Sequence, residues 1–153
     1  MNENALTEAL RSALRIEEES FVFFMEAAIR LSDPEVTETL QALAERELEH
    51  VNRLRGILGE SYLSMDELST ELLKRRPRAE WVIPTEPIRE GSDERAVLAA
   101  ALKREQATCR TYDMLATFTT YPRDFTGLCA YLAAEERSHT EAIQARLQAL
   151  GAV

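Results

Sequence analysis

The two histidines of this 153-residue chain each follow a glutamate at the same spacing. His50 stands three residues after Glu47, and His139 stands three residues after Glu136. A step of three residues on an α-helix turns the side chain by about 300°, so both members of a Glu-x-x-His pair reach one common point. Carboxylate and imidazole together suit iron or manganese. The spacing therefore predicts two metal-binding pairs.

Each long segment with a helical apolar period is interrupted by a glutamate on its apolar face. These four inward glutamates are Glu17, Glu47, Glu105 and Glu136. Glutamate is almost never fully buried unless it is paired or binds a metal, and four carboxylates on one axis would repel each other. Two ferrous ions would neutralise them, so we predict a dinuclear metal centre. The alternative is a broad, solvated stripe in a chain with 27 acidic residues.

The two halves of the chain resemble each other around these glutamates. The pattern Ala-Leu-x-x-Glu occurs at residues 13–17 and again at residues 101–105. An aromatic residue follows seven positions after each glutamate, as Phe24 in the first half and Tyr112 in the second. The pattern indicates an internal duplication of a helical hairpin.

Glu18 is an alternative to Glu17 as the inward glutamate of the first helix. Leu14, Val22 and Met25 form a second possible apolar stripe that would turn Glu18 inward. The internal repeat favours Glu17, because Glu17 is the residue that matches Glu105.

The apolar periodicity and the scarcity of glycine and proline, five of each, predict an all-α fold. Asp33 and Pro34 are typical of a helix start, and Gly59 of a helix end. We expect a single domain over residues 1–153, built as a four-helix bundle of two antiparallel helical hairpins. One long crossover, from about residue 59 to about residue 92, joins the hairpins.

The crossover contains two features of its own. Residues 64–67 form a capping-box pattern, Ser-x-x-Glu, which predicts a short helix ending near Lys74. Residues 81–84 (Trp-Val-Ile-Pro) are expected to be extended and to pack across the surface of the bundle.

From about residue 10 to about residue 150, apart from the crossover, the chain resembles the rubrerythrin-like branch of the ferritin-like superfamily. The segments that carry the resemblance are Glu17 with Phe24, residues 33–36 (DPEV), residues 43–50 (LAERELEH), Glu105 with Tyr112, and residues 132–139 (LAAEERSH). The resemblance implies a ferritin-like bundle that holds two irons. It implies that Glu47 and Glu136 bridge the irons, that Glu17 and Glu105 are terminal ligands, and that His50 and His139 bind one iron each.

Two departures from the rubrerythrin pattern shape the expected function. We expect no cysteine-rich rubredoxin domain, since the 153 residues contain only two cysteines, and Thr108 occupies the position of an extra glutamate that the family links to peroxide reduction. We expect a non-haem di-iron oxidoreductase of the ferroxidase or peroxide-reducing type that uses O2 or hydrogen peroxide, with Thr108 favouring the ferroxidase. The alternatives are an iron-storage subunit and a metal-free structural bundle.

Tyr112 is a candidate catalytic residue that would line the centre and pass an electron or donate a hydrogen bond. The alternative is a core aromatic whose hydroxyl is satisfied. Cys109 and Cys129 are too isolated for a disulfide scaffold or a cysteine metal site, and we expect Cys109 to fill space as a small apolar residue.

The net charge of −9 disfavours binding to nucleic acid or to anionic membranes, because both would repel the chain. The first residues do not form a signal peptide, and no apolar run is long enough to span a membrane. We expect a soluble cytoplasmic protein, most simply a homodimer, that receives electrons from a separate rubredoxin or flavoprotein.

Overall fold

The computed structural model of the protein describes residues 3–72 and 78–151, and all regular structure in these residues is helical. The helices are α1 (Glu3–Arg30), α2 (Pro34–Ile57), α3 (Met65–Leu72), α4 (Glu94–Ala116) and α5 (Arg123–Ala149), with a 3-10 turn at Arg78–Glu80. Helix α1 packs along α2, and α4 packs along α5. The predicted four-helix bundle of two hairpins joined by a crossover is confirmed, and α3 lies within the crossover.

The ends of the long helices follow from local sequence. The Asp33 carboxylate accepts hydrogen bonds from the backbone N–H groups of Glu35 and Val36, at 3.0 and 3.1 Å, which caps α2. Asp93 caps α4 in the same way, accepting from the N–H of Ala96 at 2.8 Å. Beyond α2 the chain reverses at Gly59, whose φ of 77° is costly for residues with a side chain.

The interior face of α4 is more polar than its hydropathy predicts. Leu102 and Leu115 of this helix are only partly buried. Arg104, Glu105 and Thr108 are almost completely buried instead. Hydropathy does not predict that these polar side chains are buried, because their burial depends on partners from other parts of the bundle. Within the residues that the structure describes, no helix is long and apolar enough to cross a membrane.

The crossover runs along the length of α1. Near its start, Arg11 of α1 forms an ion pair with Glu60 at 2.9 Å. Near its end, the N–H of Asp33, just past α1, donates to the Glu94 carboxylate at 3.3 Å. The two hairpins are therefore connected from one end of the bundle to the other.

The predicted capping box at the start of α3 is present. The N–H of Ser64 donates to the Glu67 carboxylate and the N–H of Glu67 donates to the Ser64 hydroxyl, both at 3.2 Å. The expected helix end near Lys74 lies outside the described residues.

The segment at residues 81–84 is bent rather than extended as predicted. The N–H of Val82 donates to both carboxylate oxygens of Glu19, at 3.0 and 2.9 Å, and the N–H of Ile83 lies 3.5 Å from one of them. Because consecutive N–H groups turn toward one carboxylate, the backbone bends at Val82. The side chain of Ile83 is buried against the bundle, so the segment does pack on its surface.

Arg104 connects the crossover to both hairpins. Its guanidinium is buried and donates to the Ser20 hydroxyl at 2.9 Å and to the Ile16 carbonyl at 2.7 Å, both on α1. It also donates to the Ile83 carbonyl at 3.1 Å and to the Thr85 hydroxyl at 2.8 Å, both on the crossover. A single side chain of α4 thus holds three segments together.

We expect Arg104→Met to lower the free energy of unfolding by about 2–4 kcal/mol, because buried acceptors on α1 and on the crossover lose their donor. Urea denaturation of the metal-free chain measures the change. The exposed neighbour Lys103 supplies the control, since Lys103→Met should change stability by less than about 0.5 kcal/mol. Equal effects of the two substitutions would show that Arg104 does not hold the crossover.

Candidate metal centre

Six acidic and histidine side chains from the four long helices meet in the interior of the bundle. They are Glu17 from α1, Glu47 and His50 from α2, Glu105 from α4, and Glu136 and His139 from α5. None of them is more than 3 % exposed. All six residues that the sequence singled out as candidate ligands are therefore brought to one buried place.

The six side chains form two overlapping groups. The His50 half consists of Glu17, Glu47, His50 and Glu136, and the His139 half consists of Glu47, Glu105, Glu136 and His139. Within each half, one potential ligand atom from every residue lies within 4.8 Å of the others. Glu47 and Glu136 belong to both halves. This is the arrangement expected for two adjacent ion positions that share two carboxylates.

Each histidine turns Nδ1 toward the carboxylates of its own half. The distances from Nδ1 to carboxylate oxygens are 3.4 to 3.6 Å for His50 and 3.0 to 3.4 Å for His139. The two imidazole rings are stacked, with centroids 5.8 Å apart and planes inclined by 18°. The Nδ1 atoms of both rings therefore face Glu47 and Glu136.

Many buried polar atoms of the cluster have no hydrogen-bond partner in the described part of the chain. They are Oε2 of Glu17, both carboxylate oxygens of Glu47, Nδ1 of His50, Oε1 of Glu105, Oε1 of Glu136 and Nε2 of His139. Buried polar groups are ordinarily satisfied, so such a concentration in one place calls for a missing partner. Carboxylate oxygens and imidazole nitrogens are ligands that iron and manganese accept. The residues present therefore fit a pair of divalent metal ions.

Burial and crowding of the carboxylates shift their pKa values. Burial, with repulsion from Glu17 and Glu105, raises the pKa of Glu47 to about 8. Burial and the charge of Glu136 raise the pKa of Glu105 well above its usual value. Burial also acts to raise the pKa of Glu17, but its interactions with Glu47 and His50 and the hydrogen bond from Tyr112 outweigh burial and lower that pKa to about 2.

The histidines compensate part of the negative charge when no metal is bound. Burial lowers the pKa of each imidazole, but the surrounding carboxylates outweigh burial and raise the pKa of both His50 and His139. Both rings are therefore protonated at neutral pH in the metal-free protein. Metal ligands must be deprotonated, so metal binding to this cluster displaces protons.

Tyr112 contacts the cluster directly. Its hydroxyl donates a hydrogen bond to Oε1 of Glu17 at 2.9 Å. Burial and the nearby carboxylates raise the pKa of Tyr112 well above its usual value, so the hydroxyl keeps its proton and remains a donor. Tyr112 thus holds one oxygen of Glu17 and leaves Oε2 directed at His50, 3.6 Å away.

Glu18, the alternative to Glu17, and Thr108, at the position of the extra family glutamate, are both buried. Glu18 is 3 % exposed but belongs to neither half of the cluster, and it lines a cavity of 210 Å³ beside Arg15 and Trp81. Thr108 lies one helical turn after Glu105, and its hydroxyl donates to the Arg104 carbonyl at 3.0 Å. The structure thus brings Glu17 into the cluster and leaves Glu18 outside it.

Sequence reasoning assigned no role to Glu135 or Tyr131, which surround His50. Oε2 of Glu135 lies 3.6 Å from Nε2 of His50. The ring of Tyr131 packs edge-on against the imidazole, with centroids 6.4 Å apart, and Arg53 lies over the tyrosine ring at 4.4 Å. The position of Glu135 beside Glu136 was the available signal, but the contact with His50 crosses from one hairpin to the other.

The fold and the site together define a ferritin-like four-helix bundle with a buried carboxylate–histidine cluster. The sequence model of the rubrerythrin family, described as "Rubrerythrin", matches residues 8–147, and the chain belongs to that family. A solved structure of a dodecameric thioferritin, the bacterioferritin-related protein from Bacteroides fragilis, superposes with a TM-score of 0.71. The two are 18 % identical, and the match covers 99 % of this chain and 89 % of the other, which shows a common fold. No curated protein matches the sequence.

The metal-free protein should lose thermal stability as the pH rises from about 6.5 to about 8.5. The pKa of Glu47 is about 8 in the folded state against 4.5 ordinarily, so the folded state holds an extra proton that it loses over this range. The raised histidine pKa values act in the same direction, because the unfolded chain loses those protons near pH 6.5. Differential scanning fluorimetry of chelator-treated protein measures the slope.

Glu47→Gln removes one of these ionisations and should flatten the decline. Glu38→Gln, at an exposed position of the same helix, is the control and should preserve the slope. A melting temperature that rises with pH in the metal-free protein would contradict the interpretation.

Proposed function

We propose that the protein is a non-haem di-iron oxidoreductase of the ferroxidase type, which oxidises ferrous iron with O2 or hydrogen peroxide. The single observation that carries the proposal is the pair of overlapping ligand groups that share Glu47 and Glu136. Family membership supports the choice of iron, and manganese is the alternative that the same ligands accept.

In this proposal, Glu47 and Glu136 would be shared by the two ions, and Glu17 and Glu105 would each hold one of them as terminal ligands. His50 and His139 would each hold one ion. When bound, the two irons would supply redox chemistry and open coordination positions for a small oxidant. The chain holds the ligands in register and excludes bulk water from the buried cluster. Tyr112 acts through its hydrogen bond to Glu17, which fixes the orientation of that carboxylate.

The overall reaction requires a balance of electrons and protons. Two ferrous ions lose two electrons, and one O2 with two protons becomes hydrogen peroxide. With peroxide as the oxidant, one hydrogen peroxide and two protons become two waters. Thr108 in place of a further carboxylate supports the ferroxidase over a dedicated peroxide reductase. Repeated reduction of peroxide without a supply of fresh ferrous iron would require an external reductant to return the bound irons to the ferrous state, and for this we propose a rubredoxin or a flavoprotein.

A surface cavity of 560 Å³ supports access of small molecules to the centre. His50 forms part of its wall, together with Glu45, Glu49, Arg53 and Tyr131. A molecule the size of O2 or peroxide fits such a space, and the two glutamates favour the approach of cations. We further propose that the protein works in the cytoplasm as a homodimer.

Iron storage is the second candidate function. The observation that favours it is the shared fold with the Bacteroides fragilis protein, which is described as a dodecameric thioferritin. In that case the same centre would oxidise iron for deposition inside a hollow assembly of many chains.

We expect the wild-type chain, purified from iron-supplemented cells, to contain two iron ions, and Glu136→Ala to lose both. The physical reason is that Glu136 belongs to both halves of the cluster, so its removal takes a ligand from each ion. Inductively coupled plasma mass spectrometry measures the metal content. Glu18→Ala is the matched control, because Glu18 is equally buried but lies outside the cluster. Full metal content in Glu136→Ala would overturn the ligand assignment.

Assembly size and iron capacity separate the two candidate functions. The ferroxidase should form a dimer, saturate at two irons per chain, and continue to consume O2 when fresh ferrous iron is added. A storage subunit should form a hollow assembly and retain many more irons per chain after oxidation. Size-exclusion chromatography with light scattering, followed by iron analysis of the eluted peak, distinguishes these outcomes.

A further inference from the structure

The outward nitrogen of His50 faces the carboxylate of Glu135. While Nδ1 of His50 points into the cluster, Nε2 lies 3.6 Å from Oε2 of Glu135. The same oxygen accepts a hydrogen bond from Nη2 of Arg46 at 3.1 Å. Glu135 is on α5 and His50 is on α2, so this contact joins the two hairpins. The side chain of Glu135 is only 20 % exposed, which limits competition from water.

The position of Glu135 matters once His50 binds a metal through Nδ1. A neutral imidazole carries one proton, so the proton must then reside on Nε2. A carboxylate facing that N–H fixes the orientation of the ring and increases the basicity of the metal-binding nitrogen. Arg46 binds the same Oε2 atom of Glu135 and keeps that oxygen close to Nε2 of His50.

Among the residues that the structure describes, none plays the same part for His139. Its Nε2 is buried and makes no hydrogen bond to any residue that the structure describes. In the internal repeat, Glu47 corresponds to Glu136, so the residue that corresponds to Glu135 is Arg46. A guanidinium cannot accept a proton from an imidazole, and the Arg46 side chain instead binds Glu49 and Glu135. The two histidines therefore have different surroundings although their sequence motifs match.

Glu17 and Glu105, which each belong to only one half of the cluster, also differ in their hydrogen-bond partners. Glu17 receives a hydrogen bond from the Tyr112 hydroxyl at 2.9 Å. The residue that corresponds to Tyr112 in the first half is Phe24, which has no donor to offer Glu105. Both positioning contacts, one to a histidine and one to a carboxylate, thus fall on the His50 half.

We propose that Glu135 is a positioning residue for His50 and that the His50 half binds its metal ion more tightly than the His139 half. The inference rests on the proposed dinuclear centre and specifies the order in which it fills. The His50 half loads first, and the His139 half loads at higher metal concentration.

Titration of the chelator-treated full chain with Co2+, a spectroscopic substitute for ferrous iron, tests the inference. Isothermal titration calorimetry should show two ions per chain bound in two steps. Glu135→Gln keeps the size of the side chain but removes its charge, and should weaken the tighter step by about 10–100-fold while sparing the weaker one. Glu38→Gln is the matched control, because Glu38 is an exposed glutamate on the helix of His50 and lines neither the cluster nor the cavity beside His50. It should leave both steps unchanged.

A second readout separates positioning from a general effect of charge. Proton NMR of the cobalt-loaded chain in water should show shifted, exchangeable N–H signals from the two imidazoles. Glu135→Gln should move one signal and accelerate its exchange, and Glu38→Gln should move neither.

Each outcome has a distinct meaning. Equal affinities in the wild type, unchanged affinities in Glu135→Gln, loss of both steps together, or equal effects of the two variants would overturn the inference. In all of these cases two cobalt ions in the wild type would still support the dinuclear centre. Failure of the wild type to bind cobalt at all would overturn the proposed function, and this inference with it.

Discussion

The mutual repulsion of four carboxylates enclosed in one bundle is the constraint on which the rest of the interior depends. Glu17, Glu47, Glu105 and Glu136 are all fully buried, and water cannot screen them there. Without metal, protons reduce the charge, since burial and repulsion raise the pKa of Glu47 to about 8 and both histidines are held protonated. Protons and divalent cations therefore compete for the same buried space, and occupancy of the centre is coupled to the stability of the fold.

The geometry of the centre depends on contacts that lie outside it. Arg104 directly precedes Glu105 on α4 and binds the carbonyl of Ile16, which directly precedes Glu17 on α1. The carboxylates of Glu17 and Glu105 are therefore fixed relative to each other through their neighbours. The same guanidinium binds Ile83 and Thr85, so the crossover that connects the hairpins also supports the spacing of the ligands.

The duplicated hairpins supply similar ligands but different surroundings. The Glu-x-x-His motifs at residues 47–50 and 136–139 are equivalent, and the two halves of the cluster share both of their central carboxylates. The flanking positions of the two repeats differ: Arg46 in the first corresponds to Glu135 in the second, and Phe24 corresponds to Tyr112. The two halves of the cluster therefore have different surroundings, although their acidic and histidine residues remain paired.

The sequence by itself determined the helices, their capped ends and the six residues that meet inside the bundle. These follow from local information, because a charged residue within an apolar stripe of helical period faces the core wherever that helix packs. The tertiary structure alone decided that Arg104 is buried, that Val82 bends toward Glu19, and that Glu135 faces His50. Each of these contacts depends on a partner from a distant segment. Such a partner leaves no regular spacing in a single sequence from which it could be predicted. The family comparison and the shared fold then identified the bundle as a member of the rubrerythrin family.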